Sequence, residues 1–138
     1  MALLLKSQPA AALAEMEQET VEAFRMTGMP MAFHALGRTA DSDAAMAALK
    51  TKYEKDWSYQ IAQVHAFRRQ ADGAFEWLDK ALEYDDVGLS EILTENLFAN
   101  IHKDPRWLPF LRKIGKAPEQ LAEIKFDVKV PHERLSMQ

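Results

Sequence analysis

The sequence predicts an all-α protein built as a stack of antiparallel helical hairpins. Three observations predict it. Apolar residues recur at helical spacing along nearly the whole chain, and no segment before residue 125 alternates as a strand would. A small residue is also followed one turn later by a large apolar one at three places, Ala12/Met16, Ala45/Leu49 and Ala74/Leu78, 33 and then 29 residues apart. Such a recurrence is an internal repeat, in which the small residue lets two helices approach and the large one fills the space beside them.

The elements follow in order. Residues Ala2 to Leu5 read as the last turn of a helix, and a partial unit covers 1–19. A first full hairpin spans 20–54, a second 55–87 and a closing element 88–124, so that 1–124 form the repeat domain and 125–138 an extended tail. Turns fall at Ser7 to Pro9, Gly37 to Ser42, Lys55-Asp56, Gln70 to Asp72, Asp85 to Gly88, Lys103-Asp104 and Gly115 to Pro118. Ser42, Asp56, Asp72 and Asp104 are expected to cap the helices that follow. Pro105 suits a first helical position, and Gly115 a helix end. Pro30 removes an amide from the first long helix and disfavours helix at Met29, so Gly28-Met29-Pro30 is expected to bend or interrupt it. In "GAFEWLDKALEYDD", Gly73 to Asp86, the residues Ala74, Leu78 and Ala81 share one face. They are expected to press on the partner helix Trp57 to Arg69 and on the following unit, with Ala48 as a counterpart of Ala81 one hairpin earlier. Glu76, Asp79, Lys80 and Glu83 should face water.

Composition narrows the function. The 138 residues suit about one domain. There are no cysteines, which excludes a disulfide framework, thiolate catalysis and thiolate metal sites. A formal charge of -4, with only short basic pairs such as Arg68-Arg69, argues against nucleic acid as a main partner. The opening "MALLLK" is too short for a signal-peptide core or a membrane span, so a cytoplasmic setting without a membrane partner is expected.

The repeat resembles the tetratricopeptide repeat. The best copy runs Ser58, Ile61-Ala62, His65, Ala74, Leu78, Ala81, and a second runs Phe24, Gly28, Met31, Ala45, Leu49 with about five extra residues between its halves. Ser58 and His65 stand where aromatic residues are usual, and the closing proline is absent from every copy. The stretch "ENLFANIHKDPRWLPFLRKIG" looks like the closing element of bacterial tetratricopeptide arrays carried behind adenylate-cyclase-like, winged-helix or kinase output domains. The resemblance implies a right-handed superhelical stack and a protein-interaction module, with no enzymatic chemistry and no cofactor.

In a hairpin stack the first helix of each pair lines a concave surface. Burying Trp57, Ile61, Val64 and His65 turns Tyr59, Gln63 and Ala66 to the opposite side, and the equivalent positions one hairpin earlier are Arg25, Met29 and Ala32. These six are the expected groove lining for a peptide or helix of a protein partner. His34, His65, His102 and His132 show no helical ligand spacing and no HExxH-type motif, so no metal site is expected. His65 instead reads as a half-buried replacement for tyrosine with one ring nitrogen bonded. Glu91/Glu95 and Glu15/Glu19 share helix faces and read as solvated acids. Leu3, Leu4, Leu5, Leu13 and Met16 should be left uncovered at the first unit, which suggests either a piece of a longer regulator or a homodimer joined near residues 1–30. Phe126, Val128 and Val130 alternate with Lys125, Asp127 and Lys129. This is the pattern of a tail laid on a helical surface, where it could occupy the protein's own groove, or of a strand added to another chain.

Overall fold

Four helices end in the same way. After each of them one residue takes a left-handed conformation, Gly37 (φ 77), Arg69 (φ 59), Asp85 (φ 54) and Gly115 (φ 77), and the next amide reaches back five residues to a carbonyl. These bonds are Arg38 N to Phe33 O at 2.9 Å, Gln70 to His65 at 2.9 Å, Asp86 to Ala81 at 2.8 Å and Lys116 to Leu111 at 2.8 Å. The motif satisfies carbonyls that the helix leaves unpaired. Glycine accepts the conformation freely at Gly37 and Gly115, whereas at Arg69 and Asp85 the side chain costs roughly 1 kcal/mol that the surrounding packing offsets.

The structure, a computed structural model, describes residues 8–123. Its regular elements are α1 Pro9–Glu17, α2 Glu22–Ala35, α3 Thr39–Tyr53, α4 Ser58–Phe67, α5 Ala71–Glu83, two 3-10 segments Val87–Glu91 and Asn96–Ile101, and α6 Trp107–Lys113, followed by a short helical stretch over 118–123. There is no strand among the described residues, and the fold class is all-α. Two units divide between Ile101 and His102. The closing element expected over 88–124 is thereby split, and the tail 125–138 lies outside the described residues, as do Leu3, Leu4 and Leu5.

Within the first unit α2 packs on α3, α4 on α5 and α1 on α2, while α4 also meets α2, α3 and both 3-10 segments. The face formed by Ala74, Leu78 and Ala81 is fully buried, as are Leu49, Ile61, Ala62 and Val64. Glu76, Asp79 and Glu83 are exposed and Lys80 is half-buried. Ala45 is half-buried, but Ala48 is exposed and continues no seam. In the second unit Trp107, Phe110, Leu111 and Ala117 are buried. There the His102 and Trp107 rings lie 4.6 Å apart.

Several sequence expectations for helix ends are corrected. The break between α1 and α2 falls at 18–21, next to the boundary expected between 1–19 and 20–54, although it carries no glycine or proline; there the Val21 amide donates to the Glu19 carboxylate at 3.0 Å. Ser42 caps nothing. It lies buried inside α3, which begins at Thr39, and its hydroxyl donates to the Pro30 carbonyl at 2.7 Å, tying α3 to α2. α2 runs uninterrupted through Pro30. The residues that precede α4 and α5, Trp57 and Gln70, make no side-chain cap, and neither Asp56 nor Asp72 stands at the cap position. Asp104 accepts the Arg106 amide at 2.9 Å in a turn before α6, which begins at Trp107 rather than at Pro105. A capping role falls instead to Asp86. One oxygen accepts from Gly88 N at 2.9 Å and the other from Tyr59 N at 3.0 Å, so a single carboxylate serves the first turns of Val87–Glu91 and of α4.

Three glycines seat side chains. A Cβ at Gly28 would meet the Met16 sulfur at 2.1 Å, one at Gly73 the His65 ring at 2.4 Å, and one at Gly88 the Tyr59 ring at 2.5 Å. Met16 is therefore buried against α2 rather than left uncovered at the first unit. A thioether can swing away, but a ring held at its root cannot. Gly28→Ala is expected to change stability by less than about 1 kcal/mol, because helix propensity offsets the displaced Met16. Gly88→Ala should cost about 1–3 kcal/mol through overpacking against Tyr59. Urea denaturation of the two variants checks this, and equal effects would contradict it.

Candidate functional cleft

A cleft of about 430 Å3 opens where α1, α2 and the start of α4 meet. α1 supplies Glu15 and Met16, the following turn Glu19, α2 Phe24 and Thr27, and α4 Gln60 and Gln63, with Trp57 just before its first turn. Trp57 is held in place by hydrogen bonding. Its indole Nε1 donates to Thr27 Oγ1 at 2.7 Å, and that hydroxyl donates in turn to the Ala23 carbonyl at 2.7 Å. The Phe24 and Trp57 rings are tilted against each other with centroids 5.9 Å apart, and the Tyr53 ring lies 6.2 Å from that of Trp57. Phe24 remains 54% exposed, an unusual position for a phenylalanine, and Val21 nearby is 48% exposed.

The polar groups of the cleft are acceptors in the main. Glu15 is exposed and Glu19 half-buried at the rim. The Gln60 carbonyl oxygen is buried without a hydrogen-bond partner among the described residues. Gln63 is committed, donating to Glu95 at 2.9 Å, and Glu95 also accepts the Leu97 amide at 2.9 Å. The arrangement presents aromatic surface beside carboxylates and a free carbonyl, which suits a chain carrying an apolar side chain next to a hydrogen-bond donor or cation.

Of the six residues expected to line a groove, Gln63 alone borders this cleft. Tyr59, Ala66 and Ala32 are 2%, 0% and 0% exposed, so the face of α4 that carries the first two is not open to a partner. The covering belongs to the chain itself. Tyr59 packs on Gly88 and meets Phe98 edge-on at 5.4 Å, and Asn100 donates to the Ala66 carbonyl at 3.1 Å. Burial, with Glu95, Glu91 and Asp86 nearby, pushes the Tyr59 hydroxyl well above the usual phenol range. Arg25 and Met29 are half-buried, and Arg25 donates to the Glu19 carbonyl at 3.3 Å. One signal for this burial was present in the sequence: SYQIAQVHAF, the whole of α4, contains no charged residue, as expected of a helix covered on all sides.

His65 is 8% exposed rather than half-buried, with Nδ1 at 2.9 Å from Gln70 Oε1. Burial holds its pKa down to about 4. His34 stacks edge-on with Phe67 at 6.0 Å, and burial with Arg68 and Arg69 lowers its pKa. No cluster of three or more His, Cys, Asp or Glu side chains among the described residues could hold a metal ion, and no helix among them is long and apolar enough to cross a membrane. Compared with known proteins, the chain matches no family model, no curated protein and no solved structure.

Proposed function

We propose that the chain is a protein-interaction module of the tetratricopeptide type, a cytoplasmic stack of helical hairpins that holds a peptide or helix of a partner and performs no reaction. The reading rests on one observation above others: the cleft between α1, α2 and α4, with Phe24 half in water beside a Trp57 fixed by Thr27. Apolar aromatic surface of this kind, rimmed by polar groups, marks interaction sites. Its acidic rim favours a partner segment that brings lysine or arginine beside an apolar residue. The lining differs from the one expected in the sequence, because segment 87–101 takes the surface of α4 on which that expectation relied.

Selection from a displayed random-peptide library with the full-length chain tests the proposal. Enriched peptides should pair a basic with an apolar residue and bind saturably. Phe24→Ala should weaken them by about tenfold, the order of a lost aromatic anchor. Phe24 is exposed, so the variant leaves the core intact. A selection that yields no saturable binder, or binders that Phe24→Ala holds equally well, overturns it.

A further inference from the structure

Away from that cleft, α3, the end of α4 and the turn after it border a second pocket of about 250 Å3, lined by Asp43, Met46, Ala47, Lys50, His65, Arg68 and Gln70. Its chemistry is opposite to that of the cleft. The Arg68 side chain is 7% exposed and His65 8%, and both keep a nitrogen without a partner: Nε of Arg68 and Nε2 of His65. A buried nitrogen of either kind left unbonded is costly, the more so when the group is charged, so each is a place where a ligand atom would be held. Arg68 pairs at the rim with Asp43, whose side chain is 60% exposed. Lys50 stands on the same wall with its ammonium 5.7 Å from the Trp77 ring, which Lys80 approaches at 4.1 Å from elsewhere. None of the described carboxylates lies within ion-pairing distance of Lys50.

We propose that this pocket is a site for an oxyanion of the phosphate class. Two cations converge there with one rim carboxylate between them, so a bound anion completes the charge balance rather than opposing it. A phosphate oxygen reaches Lys50 and Arg68 as acceptor, and Arg68 Nε supplies a directed donor that Asp43 leaves unused. His65 serves either state of the ligand. With Nδ1–H donating to Gln70, its Nε2 accepts from a phosphate hydroxyl; with the Gln70 amide turned to donate, Nε2–H donates to a phosphate oxygen. A carboxylate has no hydroxyl to offer, so it suits only the tautomer in which Nε2–H donates, whereas a phosphate suits both. Burial is the main cause that lowers the Lys50 pKa; Glu76 opposes it, and Arg68 and Lys80 add to it. The pocket exceeds the size of the inorganic ion, which leaves room for the carbon next to an esterified phosphate.

Titration of the 15N-labelled full-length chain with sodium phosphate, at constant ionic strength maintained with sodium chloride, tests the site. The His65 imidazole nitrogens and the Lys50 amide are expected to shift saturably with phosphate and not with chloride. Asp43→Asn, at an exposed side chain, should tighten binding about two- to fivefold by removing the competing charge. Lys50→Gln should weaken it by at least that factor with the rest of the spectrum unchanged. Phenyl phosphate binding more tightly than the inorganic ion identifies an esterified phosphate as the ligand, and equal binding identifies the free ion. Shifts that never saturate, that chloride reproduces, or that neither substitution alters overturn the proposal. None of these outcomes depends on the peptide cleft.

Discussion

Lowering the pH from 7 to 4 is expected to remove about 3 kcal/mol of folding stability through His65 alone. The imidazole is 8% exposed, and burial depresses its pKa to about 4 from an ordinary 6.5; Lys50 and Arg68 push the same way, while the Gln70 hydrogen bond and Glu76 oppose them. The sign follows from which state holds the proton. Between those two pH values the unfolded chain binds a proton that the folded chain refuses, so stability increases with pH across the window. The contribution is complete above about pH 6.5 and is lost as the pH falls to about 4. His65→Phe keeps a ring of similar size above Gly73 and removes the titration. Urea denaturation at several pH values, for the natural chain and this variant, should give curves whose difference climbs by the predicted amount between pH 4 and 6.5. A constant difference would mean that water reaches the imidazole in the folded state.

Phe98→Ala is expected to cost about 3–5 kcal/mol, the range for deleting a fully buried phenylalanine. Phe98 is 0% exposed, lies in the 3-10 segment Asn96–Ile101 and meets Tyr59 edge-on at 5.4 Å. Its neighbours Leu97 and Ile101 are also buried, and Asn100 and Glu95 bond to Ala66 and Gln63 of α4. The segment is thus core and not a strap over an otherwise finished domain. Equilibrium unfolding measures the loss, and amide exchange in α4 should accelerate in parallel. A cost below about 1 kcal/mol, typical of a surface position, would show that 87–101 detaches without harm and that the face of Tyr59 and Ala66 can open.

How far the sequence was legible depends on the range of the interaction that decided each feature. Ala74, Leu78 and Ala81 were readable because a helix face repeats every few residues, and their burial against α4 follows from that spacing alone. Helix ends were less so. Gly115 stops α6, but Arg69 and Asp85 take the same left-handed turn without a glycine, held by the bonds to His65 and Ala81. Ser42 has the composition of a cap and the position of a tie, since the Pro30 carbonyl it serves comes from another helix. Asp86, a carboxylate that does cap, reaches an amide 27 residues away, and no local pattern announces that.

The candidate sites divide along the same line. Phe24 and Trp57 sit 33 positions apart and form one surface only because α2 and α4 lie side by side and Thr27 bonds the indole. Lys50 and Arg68 flank His65 because α3 packs on α4. Taken by itself, the sequence determined the all-α class of the described residues, the apolar face of Ala74, Leu78 and Ala81 and the absence of thiol chemistry. Which face of α4 stays open was decided by tertiary structure, because a helix without charged residues has no preferred wet side until its neighbours have taken their places.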